Sequence, residues 1–137
     1  MEWKKRTKFT RLFTFTIDGE DAKDLDDAIS VKKKENGDYK LYVHIADVSH
    51  YVSEGVELDK EAYRRATSIY VADRVVPMLP EKLSNDLCSL NADREKLTLT
   101  CEMIISESGE LKKTIMHESI IKSDFRLTYK EVDEIIE

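Results

Sequence analysis

Ten residues constrain this chain more than any others. Between Asp18 and Asp27 stand Asp18, Glu20, Asp21, Asp24, Asp26 and Asp27, opposed only by Lys23, a local net charge of −5 within a whole-chain net of −6. The flanks carry the pattern of β-structure. Before the acidic run, residues 11–17 alternate Leu12, Thr14 and Thr16 with Phe13, Phe15 and Ile17, the period-two spacing and β-favouring composition of a strand. After it, residues 28–33 and 39–46 flank Glu35-Asn36-Gly37-Asp38, and Asn-Gly between two such runs is a strong hairpin signal. A segment tied to strands at both ends holds its carboxylates together. On a regular strand Asp24 and Asp26 would share a face while Asp27 pointed away. Convergence of Asp18, Asp24, Asp26 and Asp27 therefore requires a curled loop, and Gly19 is placed to help it turn.

Four convergent carboxylates repel, each raising the proton affinity of its neighbours. A divalent cation removes that repulsion. Oxygen-only ligands with no nearby Cys or His favour Mg²⁺ or Mn²⁺ over zinc. Two such ions about 3.5–4 Å apart would activate a water and stabilise the leaving oxygen of a phosphodiester. Other readings of the spacing stand beside this one. A solvated acidic loop would do nothing, and an Asp-x-Asp nucleophile at Asp24 could accept a phosphoryl group, although Asp27 is an unusual residue to follow that pair. An EF-hand needs alternate acids, Gly at six and Glu at twelve, and the segment fails that test.

The rest of the chain reads as one mixed domain. Leu58, Ala62, Ala66 and Ile69 are spaced like one helix face over residues 58–68, and Pro77 and Pro80 bracket a turn leading into a short helix through Leu87. Residues 96–106 and 111–122, split by Ser108-Gly109, form a second predicted hairpin. Thr128 with Glu131 makes a capping box for a helix still running at Glu137. Hairpins and separate helices along 137 residues predict an α+β fold with antiparallel or mixed strands. No run approaches the ~18 apolar residues of a membrane span and no signal-peptide pattern follows Met1, so no membrane partner is expected. Cys88 and Cys101 lack CxxC or paired-His spacing. Free thiols in a reducing, cytoplasmic setting are the expectation.

Thr16-Ile-Asp-Gly-Glu-Asp-Ala-Lys-Asp-Leu-Asp-Asp-Ala28 closely resembles the signature of the ribonuclease II/ribonuclease R family, nearer its ribonuclease R branch. The resemblance continues through His44–Val52, Thr67–Tyr70, Val76–Asn85, Leu87–Asn91 and Arg126–Tyr129, in family order along nearly the whole chain. It implies a magnesium-dependent, processive hydrolase that degrades RNA from its 3′ end to nucleoside 5′-monophosphates. Carried over by position, Asp18, Asp24, Asp26 and Asp27 match the four metal-holding active-site aspartates, with Asp26 the most critical to catalysis. Tyr70 matches a tyrosine that stacks on a base near the RNA 3′ end.

The family's catalytic domain is longer than this chain. The resemblance therefore identifies residues 1–137 with its N-terminal part, lacking a downstream arginine, further base-stacking aromatics, and flanking cold-shock and S1 modules. The chain alone is expected to be inactive. The competing class is a non-catalytic module that binds RNA or protein. Arg64, Arg65 and Arg74 read as solvated helix or loop positions, His44 and His50 as core or surface residues, and Asp47 carries no assignable chemistry.

Overall fold

The computed structural model describes residues 4–137; residues 1–3, at the head of the basic N-terminal stretch, lie outside the described residues. Among the described residues, nine strands and two α-helices follow in chain order: β1 (Thr7–Lys8), β2 (Phe15–Asp18), β3 (Asp27–Lys33), β4 (Tyr39–Ala46), α1 (Glu57–Arg65), β5 (Ile69–Val71), β6 (Arg74–Val76), β7 (Glu95–Ile105), β8 (Leu111–Lys122), β9 (Phe125–Thr128) and α2 (Tyr129–Ile136). Seven strands form one sheet in the order β1-β8-β7-β4-β3-β2-β9, and β5 with β6 forms a separate hairpin. The central strands are antiparallel, while β1 against β8 and β9 against β2 are parallel. This is the mixed-sheet α+β fold expected from the sequence.

Turn chemistry sets the register of the two long hairpins. Gly37 (φ 86°) and Gly109 (φ 85°) occupy the left-handed conformations that their turns demand, and Asn36 ties its turn by hydrogen-bonding Asp38. The capping box forms as read: Thr128 Oγ1 accepts from the Glu131 amide, and the Thr128 amide donates to the Glu131 carboxylate.

Three local expectations change. The helix face read through Ile69 stops at Arg65, because Ala66 takes φ +63° and breaks the helix, leaving Ile69 to open β5. The strand read from residue 11 starts at Phe15 and runs on to Asp18. Gly19 opens a turn, with the Ala22 amide donating to its carbonyl at 3.1 Å, without needing a positive φ. The segment after Pro80 is helical as expected but wound as a π-turn over Lys82–Leu87.

One face of the sheet is covered. Phe9 packs against Tyr42, His44 and His117, and Arg6 is buried in an ion pair with Asp47 at 2.6 Å. Beside them, Leu25, Cys88 and Leu90 from the loops close over Ala28, Ala46 and Ile121. This small apolar core lies directly beneath the acidic loop.

Candidate functional site

Strand ends and one apolar anchor position the acidic residues. Asp18 is the last residue of β2 and Asp27 the first of β3, so the sheet itself fixes the two outer carboxylates. Between them, Leu25 is 1% exposed in the core. Its amide donates to Ser89 Oγ (3.1 Å) and its carbonyl accepts from the Leu90 amide (2.8 Å). Ser89 Oγ also donates to the Lys23 carbonyl at 2.8 Å, and the Ala46 amide donates to the Asp26 carbonyl at 2.9 Å. With Leu25 drawn inward, its neighbours Asp24 and Asp26 line the cavity above it. The Asp-Leu-Asp order thus becomes geometry: one apolar plug between two outward acids.

The aspartates share an electrostatic neighbourhood. Burial, reinforced by Asp27 and Asp24, raises the Asp18 carboxyl above its ordinary range, while the Arg126 guanidinium and, more weakly, the neighbouring Thr16 hydroxyl oppose the rise. Loss of water, followed by Asp24, Asp27 and Asp18, raises Asp26. Among the described residues, however, no three His, Cys, Asp or Glu side chains are drawn close enough to enclose a metal ion. The carboxylates are neighbours without forming a closed cage, the spread that like charges favour. Their donor set nonetheless fits a hard divalent cation. It is all oxygen, and Asp18 Oδ2 is buried with no hydrogen-bond partner, a costly state for a carboxylate oxygen unless a cation satisfies it.

Tyr70 stands on β5 with its ring largely exposed, and its hydroxyl donates to Asp24 Oδ2. That bond, with burial second, pushes the phenol up to about 12, so it remains a donor at neutral pH. The β5–β6 hairpin overhangs a cavity of about 930 Å³ whose lining includes Gly19, Asp24, Tyr70, Arg74, Asn85 and Arg126. A second, more apolar cavity of about 320 Å³ is lined by Asp24 and Asp26 together with Ile45, Val48, Leu79 and Cys88. Burial raises the Cys88 thiol to about 11, so it is protonated and unreactive at neutral pH.

Of the other residues read from sequence, Arg64 and Arg65 pair with Glu61, and Arg74 pairs with Asp73, all in solvent. His44 is fully buried within the sheet, and His50 packs edge-on against Tyr51. Two residues had no assigned role. Asp47, only 3% exposed, holds Arg6 and accepts from Ser49 Oγ and the His50 amide. Those hydrogen bonds outweigh burial and hold its carboxyl below the usual range. Arg126 donates to the carbonyls of Gly19 (3.1 Å) and Glu20 (2.6 Å). Only their place in the family-like segments marked these two, since their partners lie 41 and over 100 residues away.

The site is thus an acidic loop carried between two strands of the sheet beside a small hairpin that bears Tyr70, and residues 6–137 match the RNB domain family. The chain belongs to that family. It is 56% identical over 131 residues to Ribonuclease R 2 of Lactococcus lactis, an alignment covering 96% of this chain and 20% of the relative. The structure of Mycoplasma genitalium RNase R in complex with double-stranded RNA superposes with a TM-score of 0.95 at 41% identity, covering 98% of this chain and 24% of that one. Yeast Ssd1, a pseudonuclease, superposes with a TM-score of 0.87 at 26% identity, covering 97% of this chain and 17% of that one. The chain thus spans about a fifth of the length of the relatives it matches.

Proposed function

We propose that this chain is the N-terminal part of an RNB catalytic domain and supplies the metal-holding half of a processive 3′-to-5′ exoribonuclease site acting in the cytoplasm. The observation that carries this reading is the placement of Asp18, Asp24, Asp26 and Asp27 along the connection from the end of β2 to the start of β3, with Asp18 Oδ2 buried and unpartnered. The likeness to ribonuclease R proteins supports RNA as the substrate.

In this reading the four carboxylates hold Mg²⁺, with Mn²⁺ able to replace it. A divalent ion bound there would make a nucleophile of water at neutral pH and stabilise the leaving oxygen of the phosphodiester. The protein's own work is placement. Leu25 sets where Asp24 and Asp26 emerge, and the ends of β2 and β3 set Asp18 and Asp27. The Tyr70 ring offers a face for the 3′-terminal base, a contact worth ~1–3 kcal/mol and indifferent to base identity. Strand binding needs cationic surface from elsewhere, because this chain carries net −6. The remainder of the catalytic domain and the cold-shock and S1 modules would supply it.

The test compares full-length protein carrying this segment with its Asp26→Asn variant, using 3′-labelled RNA at saturating Mg²⁺. The variant is expected to lose nearly all release of nucleoside monophosphate while still binding RNA, and the 137-residue chain alone is expected to release none. Near-normal turnover by Asp26→Asn would remove the assignment. Ssd1, named a pseudonuclease, favours a second reading, a non-catalytic module for RNA or protein, since it carries the same fold. Full-length protein with no activity at all would select that reading.

A further inference from the structure

The acidic loop holds a curled course although its own sequence supplies only Lys23 against six acids. The cation that helps it do so comes from the far end of the chain. β9 lies parallel to β2 with Arg126 opposite Thr16 and Thr128 opposite Asp18. This register sets Arg126 beside the point where β2 gives way to the loop. Its Nη2 donates to both the Gly19 and Glu20 carbonyls. The Gly19 carbonyl also accepts from the Ala22 amide, so one oxygen carries both the turn and the clamp.

What Arg126 leaves alone matters equally. Its contacts end on carbonyl oxygens of the loop; among the described residues it makes no ion pair with any aspartate of the loop, and Asp18 Oδ2 stays unpartnered. A guanidinium paired to Asp18 would compete with a cation for that oxygen. Directed at carbonyls, the same charge offsets the loop's repulsion and leaves the ligand atoms open.

We propose that Arg126 is a positioning residue for the metal loop, a resident cation that clamps the Gly19–Ala22 turn to β9 without occupying a ligand oxygen. The proposal rests on the reading of the aspartates as metal ligands. Its consequence for binding is conformational: a clamped loop is already competent, whereas a loosened one binds in proportion to its competent fraction.

Arg126→Gln and Arg126→Lys, made in this chain, test it with two readouts. Amide exchange is measured without metal, and Mn²⁺ affinity by paramagnetic resonance. In Arg126→Gln the Ala22 amide is expected to exchange ~10-fold faster, with the amides of β4 and β7 unchanged. Mn²⁺ binding is expected to weaken ~5-fold, and Arg126→Lys to recover part of both losses. Unchanged Ala22 exchange, or Mn²⁺ binding that is equal or tighter in Arg126→Gln, overturns the clamp. Wild-type chain that binds no Mn²⁺ refutes the reading of the aspartates instead, with the exchange measurement still deciding the clamp's structural half.

Discussion

The two faces of the seven-stranded sheet reverse the usual distribution of polarity. Across its middle, the covered face is lined with hydroxyls and an imidazole. Thr14 meets Ser30 (2.7 Å), Ser30 meets His44 Nε2 (3.0 Å), His44 Nδ1 meets Thr100 (2.7 Å), and Ser119 joins Thr100 (2.5 Å) to Thr98 (2.8 Å). All six are buried. The opposite face carries Phe15, Val31, Ile45, Leu99 and Met116, with Met116 66% exposed, and Phe13 (61%) packs with its ring tilted against Phe15 and Phe125. Leu97 and Ile120 are buried exceptions on that side. What a sheet buries here is decided by which chain segments lie across it, and a polar interior is tolerable because these six side chains pass their hydrogen bonds from strand to strand, although Thr16 Oγ1 on the same face is buried without a partner.

The largest effect expected from disturbing the covered face comes at its ionic fastening. Asp47→Ala would strand the Arg6 guanidinium in a site where both partners are nearly inaccessible. Breaking such a pair costs roughly 3–5 kcal/mol, to be read as a fall in the urea midpoint at unchanged slope. A loss under 1 kcal/mol would mean that water reaches the pair.

Next comes acid. Burial holds the His44 ring down to about 4, from an ordinary value near 6.5. The unfolded chain therefore binds the proton more tightly than the folded one, so His44's contribution is intact above about pH 6.5 and is lost as pH falls toward 4. The whole window is worth about 3 kcal/mol. In His44→Gln, whose amide can still bridge Ser30 and Thr100, stability between pH 6.5 and 4 should decline less steeply than in wild type. Parallel curves would show that other groups drive the acid loss.

The open face should respond least. Met116→Lys is expected to change stability by no more than about 0.5 kcal/mol, while lowering binding of a hydrophobic dye in proportion to the apolar surface removed. A large destabilisation would mean that this side chain is packed in solution.

Local signals of the fold were legible in sequence, and long-range ones were not. Asn36-Gly37, Ser108-Gly109 and the Thr128/Glu131 box each act within a few residues, so spacing alone identified them. The alternation of residues 13–17 was equally plain, but not that Thr14 and Thr16 face inward and Phe13 outward, because that depends on what crosses the sheet. The β5–β6 hairpin escaped notice because Val71-Ala72-Asp73-Arg74 holds no turn-forming Gly or Pro. At the site, the acidic cluster announced itself by charge density and family-like order. Its supports, Ser89 under Leu25 and Arg126 over Gly19, are contacts that only the folded chain brings together.

The central claim is that the β2–β3 loop is a divalent-cation site. Crystals soaked in Mn²⁺ and measured at its absorption edge address it directly. The account predicts anomalous peaks among Asp18, Asp24, Asp26 and Asp27, with Asp18 Oδ2 among the ligands. A well-ordered loop showing no peak there at saturating Mn²⁺ would contradict it.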